Sequence, residues 1–282
     1  DVAIVLNVAP VHLKAFKNVE EIAFAKAEIF ENLTSKNSAI VNNDLSTTQI
    51  LLKTVKAVGA NLVTFGQKDK SDFRLVSSTW HKNKTSVKAK INDQNIHFDF
   101  CAEGDHFSMN ALAAFAAAEL VGADRKITTQ AFSNWQAPKG RGERKKIKFG
   151  LGNIELIDES YNANPISMAA ALKVLSNSKS SGRKIAILGE MGELGVKENL
   201  FHSDLARIEG IKEIDVFYLV GPLMRFMWDE LPDYKESKWF ESIDELIMEI
   251  GSLIAVNDTI MVKGSNYTKV SKIVEAIKKV SV

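Results

Sequence analysis

NIELIDESYNANPISMAAALKVLS, residues 153–176, is the stretch whose reading decides the fold. Residues 154–157 are a short apolar, branched run ending in two acids, so they predict a buried strand with Asp158 and Glu159 at its carboxyl end. A polar turn follows. Asn164 before Pro165 is a cap followed by a first-turn proline, and Ile166, Ala169, Leu172 and Leu175 are expected along one face of the helix they start. Open α/β sheets bind ligands just beyond the carboxyl ends of their strands, and that point here holds Asp158, Glu159, Tyr161, Asn162 and Asn164. The same residue types also build an ordinary capped turn.

Outward from this unit the alternation is regular. Strands at 154–157, 184–188, 216–220 and 259–262 alternate with helices at 165–176, 198–209, 223–230, 243–255 and 267–280. That spacing predicts a doubly wound, mostly parallel sheet with right-handed crossovers. Its carboxyl-end loops include Gly189-Glu-Met-Gly-Glu-Leu-Gly195 and residues 263–266. The glycine spacing G-x-x-G-x-x-G after a second strand does not fit a dinucleotide fingerprint. Toward the N-terminus the order is strand 2–6, helix 19–33, strand 38–41, helix 45–58 and strand 61–65. An antiparallel patch over 73–102 follows, with runs at 86–91 and 95–100, and then helices at 108–121 and 128–135. His81 and His97 have no partner at ligand spacing and read as part of a solvated sheet face. KGRGERKKIKF, residues 139–149, reads as a mobile basic linker, which puts a domain boundary at about Pro138.

The chain has 282 residues, 45% apolar and 25% charged, with a net charge of +1. That is enough for two cores, with no global field to steer nucleic acid or an anionic membrane. Cys101 alone forms no internal disulfide, and no run approaches the roughly 20 apolar residues of a spanning helix, which fits a reducing cytoplasm. The sequence starts at Asp1 and drops at once into a strand, so it is expected to begin inside a domain. Lys26 interrupts an apolar stripe of Val19, Ile22, Ala23, Ile29, Phe30 and Leu33. A lysine there either snorkels to the surface or has a function.

The string DESYNANP, together with NVAPVHL at 7–13 and AKAEIF at 25–30, resembles the Mur ligases, ATP-dependent amide ligases of peptidoglycan synthesis. The segment looks like that of members joining D-alanyl-D-alanine to UDP-N-acetylmuramoyl-tripeptide, which implies those substrates, ATP and Mg²⁺, and a cytoplasmic monomer. The resemblance implies a P-loop-type central ATPase domain, incomplete at its start, over 1–138 and a Rossmann-like ligase domain over 139–282. In it His12 is a metal ligand and Lys26 a carbamylated lysine that also serves the metal. His106 and Asn110 match a pattern whose asparagines flank adenine, with Phe107 where the first asparagine is usual. Arg141 matches an arginine that reaches the nucleotide phosphates, with Arg144 as a second candidate. Asp158 or Glu159 would hold the ribose. Tyr161, Asn162, Asn164, Glu193, Lys263 and Ser265 would line the substrate side, and His202 has a counterpart of less certain role.

The reaction implied is phosphorylation of a carboxylate to an acyl phosphate, followed by displacement of phosphate by an amine, with the domains closing to exclude water. An alternative from another class is a non-catalytic nucleotide- or muropeptide-binding module of the same fold. No G-x-x-x-x-G-K-[ST] phosphate loop occurs in the 282 residues. The expectation is therefore that the loop and a further metal ligand precede Asp1, and that these residues by themselves do not turn over.

Overall fold

The computed structural model describes residues 1–10, 15–82, 84–92 and 94–280. They divide into two compact units, Asp1–Gln136 and Ala137–Val282. Among the described residues the strands form two six-stranded sheets, one in each unit.

In the first unit the order is β1 (Val2–Val5), α1 (Val19–Ala27), β2 (Ser38–Asn42), α2 (Thr48–Val58), β3 (Asn61–Gly66), β4 (Phe73–His81), β5 (Lys84–Ile91), β6 (Gln94–Phe100), α3 (Asp105–Leu120) and α4 (Arg125–Asn134). The sheet runs in sequence order: β1 to β4 pair in parallel, and β4, β5 and β6 pair antiparallel. Helical periodicity overshoots the real boundaries in two places. The helix expected over 19–33 ends at Ala27 and tightens into a 3₁₀ turn through Phe30, and its buried stripe is Ile22, Ala23, Ala27 and Phe30. Lys26 lies outside that stripe and is exposed. The helix expected from residue 45 starts at Thr48. The Thr48 hydroxyl donates to the Asn42 carbonyl at 2.9 Å, and the Asn42 side chain accepts the Asp44 N–H at 2.9 Å, so 43–47 is a side-chain-stabilised turn. α3 begins three residues earlier than expected, because Gly104 at φ 131° supplies a backbone turn that other residues avoid.

The second unit contains β7 (Glu143–Phe149), β8 (Gly152–Glu159), α5 (Pro165–Asn177), β9 (Lys184–Gly189), α6 (Glu198–Ser203), β10 (Val216–Val220), α7 (Arg225–Trp228), β11 (Glu236–Phe240), α8 (Ile243–Leu253), β12 (Thr259–Lys263) and α9 (Ser271–Val280). Its sheet order is β11-β10-β9-β12-β8-β7, parallel throughout except for β7. One face packs Met168, Leu172 and Leu175 of α5 against Ala186, Leu188 and Phe217. The other packs Leu246 and Ile250 of α8 and Ile273 and Ile277 of α9 against Ile185, Ile187 and Ile260.

The basic stretch expected to be a mobile linker is instead an edge strand from Glu143 onward. β7 pairs with β8 from Glu143↔Asp158 to Phe149↔Gly152, and Ile147 and Phe149 pack on the core while the lysines face water. Lysines on an exposed edge deter pairing with a foreign strand, so the composition that suggests a linker is what an edge requires. β11, the opposite edge, is a second strand that sequence periodicity does not show. The α5 face is also rotated: Met168, Ala171, Leu172 and Leu175 are buried while Ile166 is exposed.

Asn164 caps α5 through a reciprocal capping box, with its Oδ1 accepting the Ser167 N–H at 2.9 Å and the Ser167 hydroxyl accepting the Asn164 N–H at 2.9 Å. Asn164→Ala is therefore expected to destabilise the second unit by about 1 kcal/mol without changing the steepness of its unfolding. Urea titration followed by tryptophan fluorescence checks this. An unchanged midpoint would remove the cap from the account of this loop.

Candidate functional site

The loop after β8 is built around two acids that face different surroundings. Asp158 is 2% exposed. Its Oδ1 accepts from the Ser160 N–H at 3.1 Å and the Ser160 hydroxyl at 2.6 Å, and its buried Oδ2 has no hydrogen-bond partner among the described residues. Glu159 is paired in register with Lys263 of β12, and Oε2 of the glutamate lies 3.3 Å from the lysine Nζ. The Lys263 ammonium also donates to the Asn162 carbonyl at 2.9 Å. Lys263 is 2% exposed, and burial moves the pair toward neutrality, Glu159 upward and Lys263 downward, against the pull each exerts on the other. The charge of Arg141 is felt at both groups and lowers both pKa values.

Arg141 is held by the turn that leads into β7. Gly140 at φ 76° accepts the Tyr161 N–H at 3.0 Å, and Gly142 at φ 86° donates its N–H to the Asp158 carbonyl at 2.8 Å. A Cβ at Gly140 would stand 3.1 Å from the Tyr161 backbone nitrogen, in a conformation that L side chains rarely adopt. The turn is thus clasped to the 158–164 loop, and the Arg141 guanidinium lies 4.2 Å from the Tyr161 ring centroid. Tyr161 and Asn162 are exposed, whereas Asn164 is engaged as the α5 cap. Arg144 is turned away to other partners, the Glu155 carboxylate at 3.1 Å and the Ser178 hydroxyl at 2.8 Å.

Two further loops meet this one. The Ser265 hydroxyl, 4% exposed, donates to the Ala163 carbonyl at 3.2 Å and accepts the Gly192 N–H at 2.8 Å. Glu190 accepts the Leu223 N–H at 2.8 Å on one oxygen and the Tyr267 hydroxyl at 3.0 Å on the other. Burial and then the Glu190 charge push the Tyr267 hydroxyl upward, so it remains a donor. Met191 donates its N–H to His202 Nε2 at 2.9 Å. Glu193 is exposed, with a left-handed backbone at φ 62°. Lys263 and Ser265, expected to line the substrate side, are buried and tie loops together. Glu190, His202 and Tyr267 complete the ties. The signal for Glu190 is its place as the first residue beyond β9.

In the first unit His106 and Asn110 are exposed one turn apart on α3. Phe107 is buried, its ring centroid 4.1 Å from that of His106 and 5.6 Å from that of Trp135. The residue that departs from the expected pattern therefore serves packing. Lys26 stands exposed in the last turn of α1, and His12 lies outside the described residues. Among the described residues no group of three or more His, Cys, Asp or Glu is placed to hold a metal ion. No helix among them is long and apolar enough to cross a membrane.

Residues 1–118 match the Mur ligase middle domain and residues 140–266 match the Mur ligase glutamate ligase domain. The chain belongs to the Mur ligase family. Among relatives of this Mur ligase chain, the UDP-N-acetylmuramoyl-tripeptide–D-alanyl-D-alanine ligase of Rickettsia prowazekii is 30% identical over 98% of the chain and 60% of its own length. The ligase of the same name from Bacillus subtilis is 27% identical over 98% of the chain and 58% of its own length. Both are thus matched over little more than half their length. MurF from Acinetobacter baumannii superposes with a TM-score of 0.86 at 24% identity, over 99% of this chain and 59% of that one. MurF ligase from Thermotoga maritima in complex with ADP superposes with a TM-score of 0.83 at 20% identity, over 99% and 62%. At those identities the superpositions establish the Mur ligase fold.

The Lys263 pair generates a stability prediction. Lys263→Met leaves the half-buried Glu159 without its cation and is expected to destabilise the second unit by about 3 kcal/mol, while Lys263→Met with Glu159→Leu recovers much of that loss. Urea unfolding of the single and double variants measures both. Additive losses would mean that the two side chains do not act as a pair.

Proposed function

We propose that this chain is the ATP- and amine-handling part of an ATP-dependent ligase that joins D-alanyl-D-alanine to UDP-N-acetylmuramoyl-tripeptide. The observation that carries the reading is the Arg141 guanidinium stacked over Tyr161 beside Asp158 and Glu159, at the carboxyl edge of a parallel sheet. An arginine held in this way is a preorganised cation at the place where such sheets bind ligands. The family match and the names of the curated relatives support the same reading.

A carboxylate resists attack by an amine because its charge repels the nucleophile and oxide is a poor leaving group. ATP would supply the γ-phosphoryl group that converts it to an acyl phosphate, with ADP as the leaving group, and the amine would then attack the acyl carbon, losing a proton and expelling inorganic phosphate as the amide bond forms. Several residues of this chain would serve that nucleotide. Asp158 Oδ2 is a buried acceptor with no hydrogen-bond partner among the described residues, suited to a ribose hydroxyl once its loop admits one, whereas Glu159 is occupied by Lys263. Arg141 would take phosphate oxygens, its guanidinium edge being open to them while its face rests on Tyr161. His106 and Asn110, exposed on neighbouring turns of α3, would flank the base. Glu193 would draw in the ammonium end of the amine substrate, with Tyr161 and Asn162 lining the approach. Lys263, Ser265 and Asn164 act beneath them as positioning residues. No group of three or more His, Cys, Asp or Glu among the described residues is placed to hold Mg²⁺; Lys26 as a carbamate, with His12 outside the described residues, would serve it.

Arg141→Ala in the full-length gene product is expected to lower kcat/KM for ATP by about one to three powers of ten, and Tyr161→Leu to lower it by about tenfold, both with unfolding midpoints unchanged. Steady-state release of phosphate measures this. Kinetics unmoved by both substitutions would take the phosphates away from this turn. For Lys26, proposed as a carbamate that serves the metal, Lys26→Ala should abolish ligation and a short carboxylate in the buffer should restore part of it. Full activity of the unsupplemented variant would sink that assignment.

A further inference from the structure

His202 is fully buried on α6 at 0% exposure, and nothing in the ligation chemistry uses it. Its Nε2 lies 2.9 Å from the Met191 nitrogen and its Nδ1 lies 2.7 Å from the Glu198 carbonyl oxygen. A ring nitrogen that accepts a backbone N–H carries no proton, so the imidazole proton sits on Nδ1 and is donated to Glu198. The ring is therefore neutral. An imidazolium would set one N–H against another. The charged groups that bear on it are Glu190, in the loop after β9, and Glu198, one turn earlier on its own helix. Both favour the protonated ring, but burial opposes them and prevails, and the pKa is lowered.

The amide that His202 holds belongs to a loop fixed at three successive residues. Glu190 is fixed through its carboxylate to Leu223 N–H and Tyr267, Met191 through its N–H to His202, and Gly192 through its N–H to Ser265. The residue that follows is Glu193, with φ at 62°, a conformation that residues other than glycine rarely hold. Such a conformation persists where the surrounding structure over-determines it. After it, Leu194 is buried at 1% exposure and fastens the far side of the loop.

We propose that His202 is a positioning residue for the amine substrate. Acting through the Met191 amide, it keeps the Glu190–Glu193 segment in the shape that presents the Glu193 carboxylate to the ammonium group of the incoming dipeptide. This rests on the ligase reading above. It also makes the segment acid-labile. The folded-state pKa lies below the ordinary histidine value of 6.5, so the pin's contribution to stability is present above that value and is lost as pH falls through the folded pKa.

Two measurements test it. With ¹⁵N-histidine incorporated in the full-length gene product, His202 is expected to show the Nδ1–H tautomer and to remain mainly neutral at pH 6.5, the ordinary histidine value. An Nε2–H tautomer, or a ring already half protonated at pH 6.5 or above, overturns the proposal. In ligation assays His202→Leu is expected to raise KM for D-alanyl-D-alanine by about tenfold with KM for ATP unchanged, and His202→Gln, which keeps an acceptor for Met191 and a donor for Glu198, to restore most of it. An unaltered KM for the dipeptide in His202→Leu overturns it. Should that variant not fold, His202→Gln decides the matter by pH: the acid-side rise in KM for the dipeptide disappears if His202 is its source, and its persistence overturns the proposal. Absence of ligation by the unaltered enzyme overturns the ligase reading and the role of Glu193 with it, while the ¹⁵N titration bears on the pin alone.

Discussion

An ammonium group buried at the end of β12 is the constraint on which the ligand edge of the second unit depends. A cation out of water must have its donors satisfied, and Lys263 finds a carboxylate from the adjacent strand and a carbonyl from the loop beyond it. Satisfying the lysine draws the 158–164 loop down onto the sheet. With its carbonyl held by Lys263, Asn162 accepts the Ala163 N–H on its side-chain oxygen at 2.9 Å, and both it and Tyr161 are exposed. Arg141 then has a ring to rest on. The exposed groups of the loop rest on the buried ammonium beneath them.

The sequence disclosed the centre of this unit far better than its edges. Strands buried on both faces, such as β9, β10 and β12, are continuous apolar runs and can be read directly. β7 and β11 have one neighbour each and are largely wetted, so KKIKF and ESKWF carry only two apolar residues apiece. For β7 the legible clue is that Ile147 and Phe149 are two apart and precede a Gly150-Leu151-Gly152 turn. Motif residues were legible as types, but their uses were not. The string does not show that Lys263 and Ser265 also tie loops together, which follows from their pairing in space with Glu159, Asn162, Ala163 and Gly192.

The first unit teaches the complementary lesson. In the string Lys26 is a charge within an apolar stripe running on to Ile29 and Leu33, yet α1 is short enough that its buried face passes through Ala23 and Ala27 and leaves the lysine in water. Phe107 departs from its family pattern for a local reason, because it fills the space between His106 and Trp135. A change that looks like lost recognition in the string is, in space, a gain of aromatic packing.

The reversed direction of β7 has a mechanical side. Because the strand starts at the loop end of the sheet, a pull on the chain at Ala137, transverse to the strands, loads its hydrogen bonds one after another, as a zipper opens. The leading teeth are the bonds from Tyr161 N–H to the Gly140 carbonyl and from Gly142 N–H to the Asp158 carbonyl. Those two seat Arg141. Tension of that kind would thus reach the guanidinium and its tyrosine before it reaches the pairing of the parallel strands beyond β8, so the first bonds to be loaded lie beside the phosphate-binding candidate.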